Sequence, residues 1–83
     1  MEITIDCGGI ATKQELHEHI AEALDFPGWY GHNLDALMDC LTDLEETEVT
    51  LLGWQSVPFP AEGFWETFMD AAAENPALRV IFA

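Results

Sequence analysis

Pro27-Gly28-Trp29-Tyr30-Gly31-His32-Asn33-Leu34-Asp35-Ala36-Leu37-Met38-Asp39-Cys40-Leu41 sets two aromatics and two carboxylates around the start of one helix. Leu34, Leu37, Met38 and Leu41 recur at i, i+3, i+4 and i+7, the spacing of a buried helical stripe. Asp35 and Asp39 therefore fall together on the opposite, wet side, and Asp43 extends their row by one turn. Like charges four apart cost a helix roughly 0.2–0.5 kcal/mol per pair, and no Lys or Arg in the stretch offsets them. A row kept at that cost points to use by a partner. Asn33 is a good N-cap residue and Asp35 suits the positive end of the helix dipole, so the pattern predicts a helix from there to about Leu44.

Glu2-Ile3-Thr4-Ile5-Asp6-Cys7 precedes this region, alternates polar with apolar and ends at Gly8-Gly9, as a strand followed by a turn does. Thr12 and Glu15 have the spacing of a capping box, and Leu16, Ile20, Ala23 and Leu24 form a helical stripe that stops before Pro27, which predicts a helix over 13–25. Glu45-Glu46-Thr47-Glu48 reads as a charged break. Val49-Thr50-Leu51-Leu52-Gly53-Trp54 is short, β-rich and apolar on both faces, the pattern of a central strand with neighbours on either side. Gln55 to Gly63 holds two prolines and reads as a loop with room for one helical turn. Phe64, Trp65, Phe68, Met69 and Ala72 predict an amphipathic helix ending at Asn75-Pro76, and Leu78-Arg79-Val80-Ile81-Phe82-Ala83 a last strand. Long connections containing helices favour parallel pairing with right-handed crossovers. The expected fold class is α/β, with a small three-stranded, largely parallel sheet covered by helices and one domain spanning residues 1–83.

The composition fits that reading. A chain of 83 residues sits near the lower limit of independent folding and buries only about 60–65% of its unfolded surface. Apolar residues make up 49% of it, nine of the side chains being aromatic, so there is material for one packed core and the sequence is not a disordered acidic tail. Sixteen Asp and Glu against one Lys and one Arg leave a net charge of −14. Such a chain repels phosphate backbones and anionic lipid and attracts basic surfaces, so nucleic-acid binding is excluded as an expectation. No run approaches the ~18–20 apolar residues of a membrane helix, and the N-terminus lacks a basic segment followed by an apolar one; the expectation is a cytoplasmic protein. Mutual repulsion disfavours self-association through the acidic face, so a monomer is expected when unbound.

The run Tyr30-Gly31-His32-Asn33-Leu34-Asp35-Ala36-Leu37-Met38-Asp39-Cys40-Leu41 resembles the binding loop and second helix of the barstar-type ribonuclease inhibitors. The order strand, helix, helix, strand, helix, strand is similar throughout, with the termini and Gln55–Gly63 matching more weakly. The resemblance implies a barstar-like fold and an intracellular inhibitor, not an enzyme, that plugs the active site of a small basic secreted ribonuclease or related toxin. It implies that Asp39 takes the place of a substrate phosphate, that Asp35 pairs with nearby basic groups, and that Gly31, Asn33 and Leu34 are contacting loop positions. Asp70, one methylene shorter than the family's Glu, matches a further acid on the helix before the last strand. Trp29 stands where the family commonly has Tyr, Met38 where its best-known member has Trp, and Asp43-Leu44 replaces a Gly-Trp pair. The departures at these positions leave open a different target nuclease. The rival reading is an acidic interaction module for some other basic protein.

Taken alone, an acidic helix row is more often a solvated face than a binding site; the surrounding motif reverses that weighting. Trp29 is expected to point outward, while Tyr30 is left open between inward packing and display. Gly31 can supply a positive φ for the turn, or let another backbone approach, or both. His17 and His19, two apart on a helix, point in different directions, and His32 is alone in a loop, so no metal site is expected. No cofactor is expected either, since phosphate-cradling glycine loops are absent. Cys7 and Cys40 are expected as reduced core thiols, Cys40 having no base or cation beside it to make a nucleophile.

Overall fold

The computed structural model describes residues 1–83. The elements in chain order are β1 (Glu2–Asp6), α1 (Lys13–Ala23), α2 (Leu34–Thr42), β2 (Thr47–Leu52), a single 3-10 turn (Trp54–Ser56), α3 (Glu62–Glu74) and β3 (Leu78–Phe82). The three strands form one fully parallel sheet in the order β1-β2-β3. Register aligns Ile3 with Val49 and Ile5 with Leu51 on one side, and Val49 with Val80 and Leu51 with Phe82 on the other. These rows form one face of the sheet, and the helices close over it: Ile5, Val49 and Leu51 share a fully buried core with Leu16, Ile20, Leu37, Leu41 and Phe68.

Several expectations shift by a few residues for local reasons. α1 stops two residues early because Asp25 takes a left-handed φ of 55°, and the amides of Asp25 and Phe26 turn back to Glu22 O at 3.3 Å and Ala21 O at 2.9 Å. That is the paired closing bond of a Schellman motif, with Asp in the position glycine usually fills. The capping box is half made: Thr12 Oγ1 accepts from Glu15 N at 3.1 Å, but Glu15 Oε1 takes the Thr12 hydroxyl at 3.2 Å rather than its backbone amide.

β2 begins at Thr47, inside the stretch read as a charged break, because pairing with both neighbours reaches back that far: Thr47 N donates to Ala77 O at 2.9 Å and Glu48 N to Met1 O at 2.8 Å. It ends before Trp54 because Gly53 sits at φ 66°. β2 is central, as expected, but only one of its faces is dry. Glu48, Thr50 and Leu52 point to the open side, where Leu52 is 38% exposed and Arg79 Nε meets Glu48 Oε2 at 3.8 Å in the chain's one ion pair. Parallel sheets are ordinarily covered on both faces; here threonines and charged side chains on the second face make contact with water tolerable. That ion pair, largely exposed, contributes little.

α3 ends at Asn75, which is buried although flanked by Pro76. Its side-chain Nδ2 donates to Leu41 O at 3.1 Å and Leu44 O at 2.8 Å, and its Oδ1 accepts from Ala77 N at 3.0 Å. One amide thus satisfies the carboxyl end of α2, where carbonyls have no helical partner, and the turn into β3. Replacement Asn75→Ala is expected to cost about 2–3 kcal/mol by stranding buried groups. The measurement is a urea titration, which should show a lower midpoint at unchanged slope; an unaltered midpoint would show that water substitutes for all three bonds.

Candidate functional site

The loop before α2 is tied down from below. Tyr30 N donates to Pro27 O at 3.0 Å, its ring lies 5.1 Å from that of Phe26, and its hydroxyl meets His17 Nδ1 at 2.7 Å. Of the two readings left open for Tyr30, the structure takes the inward one: it is 7% exposed and belongs to the core cluster. Burial pushes its phenol above the ordinary range, with Cys40 adding to the effect. Trp29, one residue earlier, stands 73% exposed, as expected.

The positive φ of the turn belongs to His32, at 50°, and not to Gly31, which corrects that part of the reading. Gly31 is needed for room instead. A Cβ there would lie 3.1 Å from Asn33 Nδ2, and Asn33 is fully engaged, its Oδ1 accepting from Ala36 N at 2.8 Å as the helix cap and its Nδ2 donating to Gly31 O at 3.2 Å. The start of α2 is therefore a stiff corner.

From that corner, Leu37, Cys40 and Leu41 face inward, Met38 is half-buried, and Asp35, Asp39 and Asp43 are exposed. Leu34, expected in the buried stripe, is 39% exposed, because it overhangs the first residues of α3: a Cβ on Gly63 would sit 2.8 Å from Leu34 Cδ1. That contact joins the two helix starts, and the Asn75 bonds to Leu41 O and Leu44 O join the two ends. So α2 and α3 run side by side in the same direction. Asp70 lies seven residues after Gly63, on the same side of α3 by helical spacing, and it is exposed. Trp29 and Asp43 line one shallow hollow with Cys40 at its base. The structure thus sets Asp35, Asp39 and Asp43 outward on α2, with Trp29 beside Asp43, Gly31 and Asn33 shaping the corner before the helix and Tyr30 beneath it. None of these carboxylates is in an ion pair, the single pair being Arg79–Glu48.

The Barstar (barnase inhibitor) family model matches residues 1–79. This chain belongs to the barstar family. A Bacillus subtilis (strain 168) protein carrying the name "Putative ribonuclease inhibitor YrdF" is 43% identical over 51 residues, 61% of this chain and 56% of that protein. The chain thus matches little more than half the length of that relative. A barstar-family assignment agrees with the parallel sheet, the three helices and the loop-to-α2 corner described above.

The remaining reactive groups are quiet. Burial raises the Cys40 thiol, with Asp43 and Asp39 pushing the same way, and burial with Asp6 raises Cys7 to about 11; both are free and buried, so neither favours the thiolate a nucleophile needs. No group of three His, Cys, Asp or Glu side chains converges to hold a metal, and no helix is long and apolar enough to cross a membrane. Two residues escaped the sequence reading. His32 is not alone: its ring stacks on that of His17 at 5.9 Å with a 3° interplanar angle, and its Nδ1 meets Gln14 Nε2 at 2.8 Å. The signal for His17 was its place on the His17, Ile20, Leu24 side of α1, three residues before a buried position; for His32 there was none in the local pattern.

Proposed function

We propose that this chain is an inhibitor of a small basic ribonuclease or related toxin, of the kind a cell secretes, and that it works inside the producing cell by occluding the enzyme's active site. The observation that carries this is the row Asp35, Asp39, Asp43 on a braced helix, with Asp70 on α3, all exposed and none in an ion pair within the chain. A carboxylate on a rigid helix offers arginine forks the two-oxygen geometry that a phosphate does, and such charge-assisted pairs are among the stronger hydrogen bonds. Asp39 is the group assigned to the phosphate position and Asp35 to the basic groups around it. Trp29, Leu34 and Met38 supply apolar area beside the acids, as an interface core requires. Family membership and the name of the YrdF protein support the same reading.

The test mixes the purified chain with basic ribonucleases, barnase included, and measures RNA cleavage: stoichiometric suppression is expected for at least one of them. If only DNA-binding or other non-nuclease basic proteins bind the acidic face, the rival interaction-module reading replaces this one. Steering by a charge of −14 gives a further expectation. Association should slow steeply between low and physiological salt, by about tenfold or more, while dissociation changes little; stopped-flow mixing at several ionic strengths measures both, and a salt-independent association rate would remove the electrostatic part of the mechanism.

A further inference from the structure

His17 and His32 form a histidine pair beneath the partner-facing loop, each ring held by a hydrogen bond at its Nδ1. Gln14 Nε2 has two hydrogens and gives them to Glu18 Oε2 at 3.2 Å and His32 Nδ1 at 2.8 Å. The flipped amide would set its oxygen against the Glu18 carboxylate, so His32 Nδ1 must be an unprotonated acceptor. On the other ring, Tyr30 Oη meets His17 Nδ1 at 2.7 Å, and Phe64 closes over it with ring centroids 4.6 Å apart. Through these bonds α1 holds the loop at both Tyr30 and His32, and His32 keeps a left-handed φ of 50° that costs a non-glycine residue energy.

We propose that this stacked pair is an acid-sensitive latch on the Trp29–Leu34 loop: protonation removes the Gln14–His32 bond, places charge against the buried His17 ring, and loosens the partner-binding corner. Charge is spread unevenly around the pair. Lys13 lines the hollow over His17 with Asn33, Leu34, Pro60, Gly63 and Phe64, none of them a carboxylate, and α3 presents only Phe64 and Gly63 there. Glu18, Glu22 and Asp25 line the separate hollow that holds His32 and Tyr30. His17 opposes its own protonation, lowered from its usual 6.5 by burial and then by His32. The folded chain therefore binds fewer protons there than the unfolded one, and the stability involved is present above pH 6.5 and is lost as pH falls from that value toward the folded one.

The latch bears on inhibition only through the proposed partner face, so its test uses the free chain, and a failure here leaves the inhibitor reading standing. Amide exchange by NMR reports the loop through Tyr30 N, bonded to Pro27 O, and Ala36 N, bonded to Asn33 Oδ1. Protection factors at both amides are expected to fall by roughly fivefold or more between about pH 7.5 and 5.5. His32→Asn, which tolerates the left-handed backbone, should cut that fall to about threefold or less, while His19→Gln on the same helix should leave it whole. Protection that stays constant or rises in the wild-type chain on acidification overturns the proposal, as does an undiminished fall in His32→Asn.

Discussion

Asp39→Ala is expected to weaken binding to the target ribonuclease by about 30-fold to several thousand-fold. That corresponds to roughly 2–5 kcal/mol, the range for truncating one partner of a buried, hydrogen-bonded charge pair, the barnase–barstar pair among the systems behind it. Most of the loss should appear in the dissociation rate, since the enzyme's cations are left desolvated and unanswered. Glu18→Ala on α1 removes the same formal charge away from the α2 row and should change affinity by less than about threefold. The free protein should respond in the opposite direction. Asp39 stands four residues from both Asp35 and Asp43, so the alanine variant loses two like-charge contacts worth roughly 0.2–0.5 kcal/mol each and should melt slightly higher. Calorimetric titration and thermal melting of both variants measure these effects; equal small losses of affinity at Asp39 and Glu18 would take the α2 acids out of the interface.

Phe68→Ala should do the reverse, weakening the fold while leaving the α2 acids in place. Phe68 is fully buried on α3 at the centre of the single core, where truncation of a large aromatic costs about 3–5 kcal/mol. Domains of this size hold only about 5–15 kcal/mol in total, and each kcal/mol is about 4–8 °C of Tm for a 60–100 residue domain. A fall of at least about 12 °C is expected, measured by far-ultraviolet circular dichroism on heating. Met69→Ala, the adjacent exposed position at 52%, should move the midpoint by no more than about 0.5 kcal/mol. A Phe68→Ala protein that melts within a few degrees of the parent would mean that the core collapses around the vacancy far better than packed interiors do.

The two variants separate what each part of the sequence does. Interior positions were legible because periodicity is a local property: Leu16 and Ile20 on α1, Leu37 and Leu41 on α2, and Ile5 on β1 all repeat at the spacing of their element and all are buried. The acidic row was legible for the same reason, since the stripe that buries Leu37 and Leu41 necessarily turns Asp35 and Asp39 outward. Leu34 broke the pattern because its exposure depends on where α3 begins, and α3 lies almost thirty residues away. β2 was misplaced by two residues because its start is decided by amides that pair with Met1 and Ala77, whereas charge in the Glu45–Glu48 stretch is a statement about side chains only.

The amino-acid order by itself determined the element types, the parallel α/β architecture, the outward acids of α2 and the inhibitor family, because helix and strand periods and caps act over a few residues and a long motif carries its own geometry. Tertiary structure alone decided that Tyr30 turns inward, that Asn75 at the end of α3 also closes α2, and that two histidines fifteen positions apart stack face to face. Each of these depends on hydrogen bonds or packing between segments distant in the chain, and no local pattern encodes which distant segment will supply the partner.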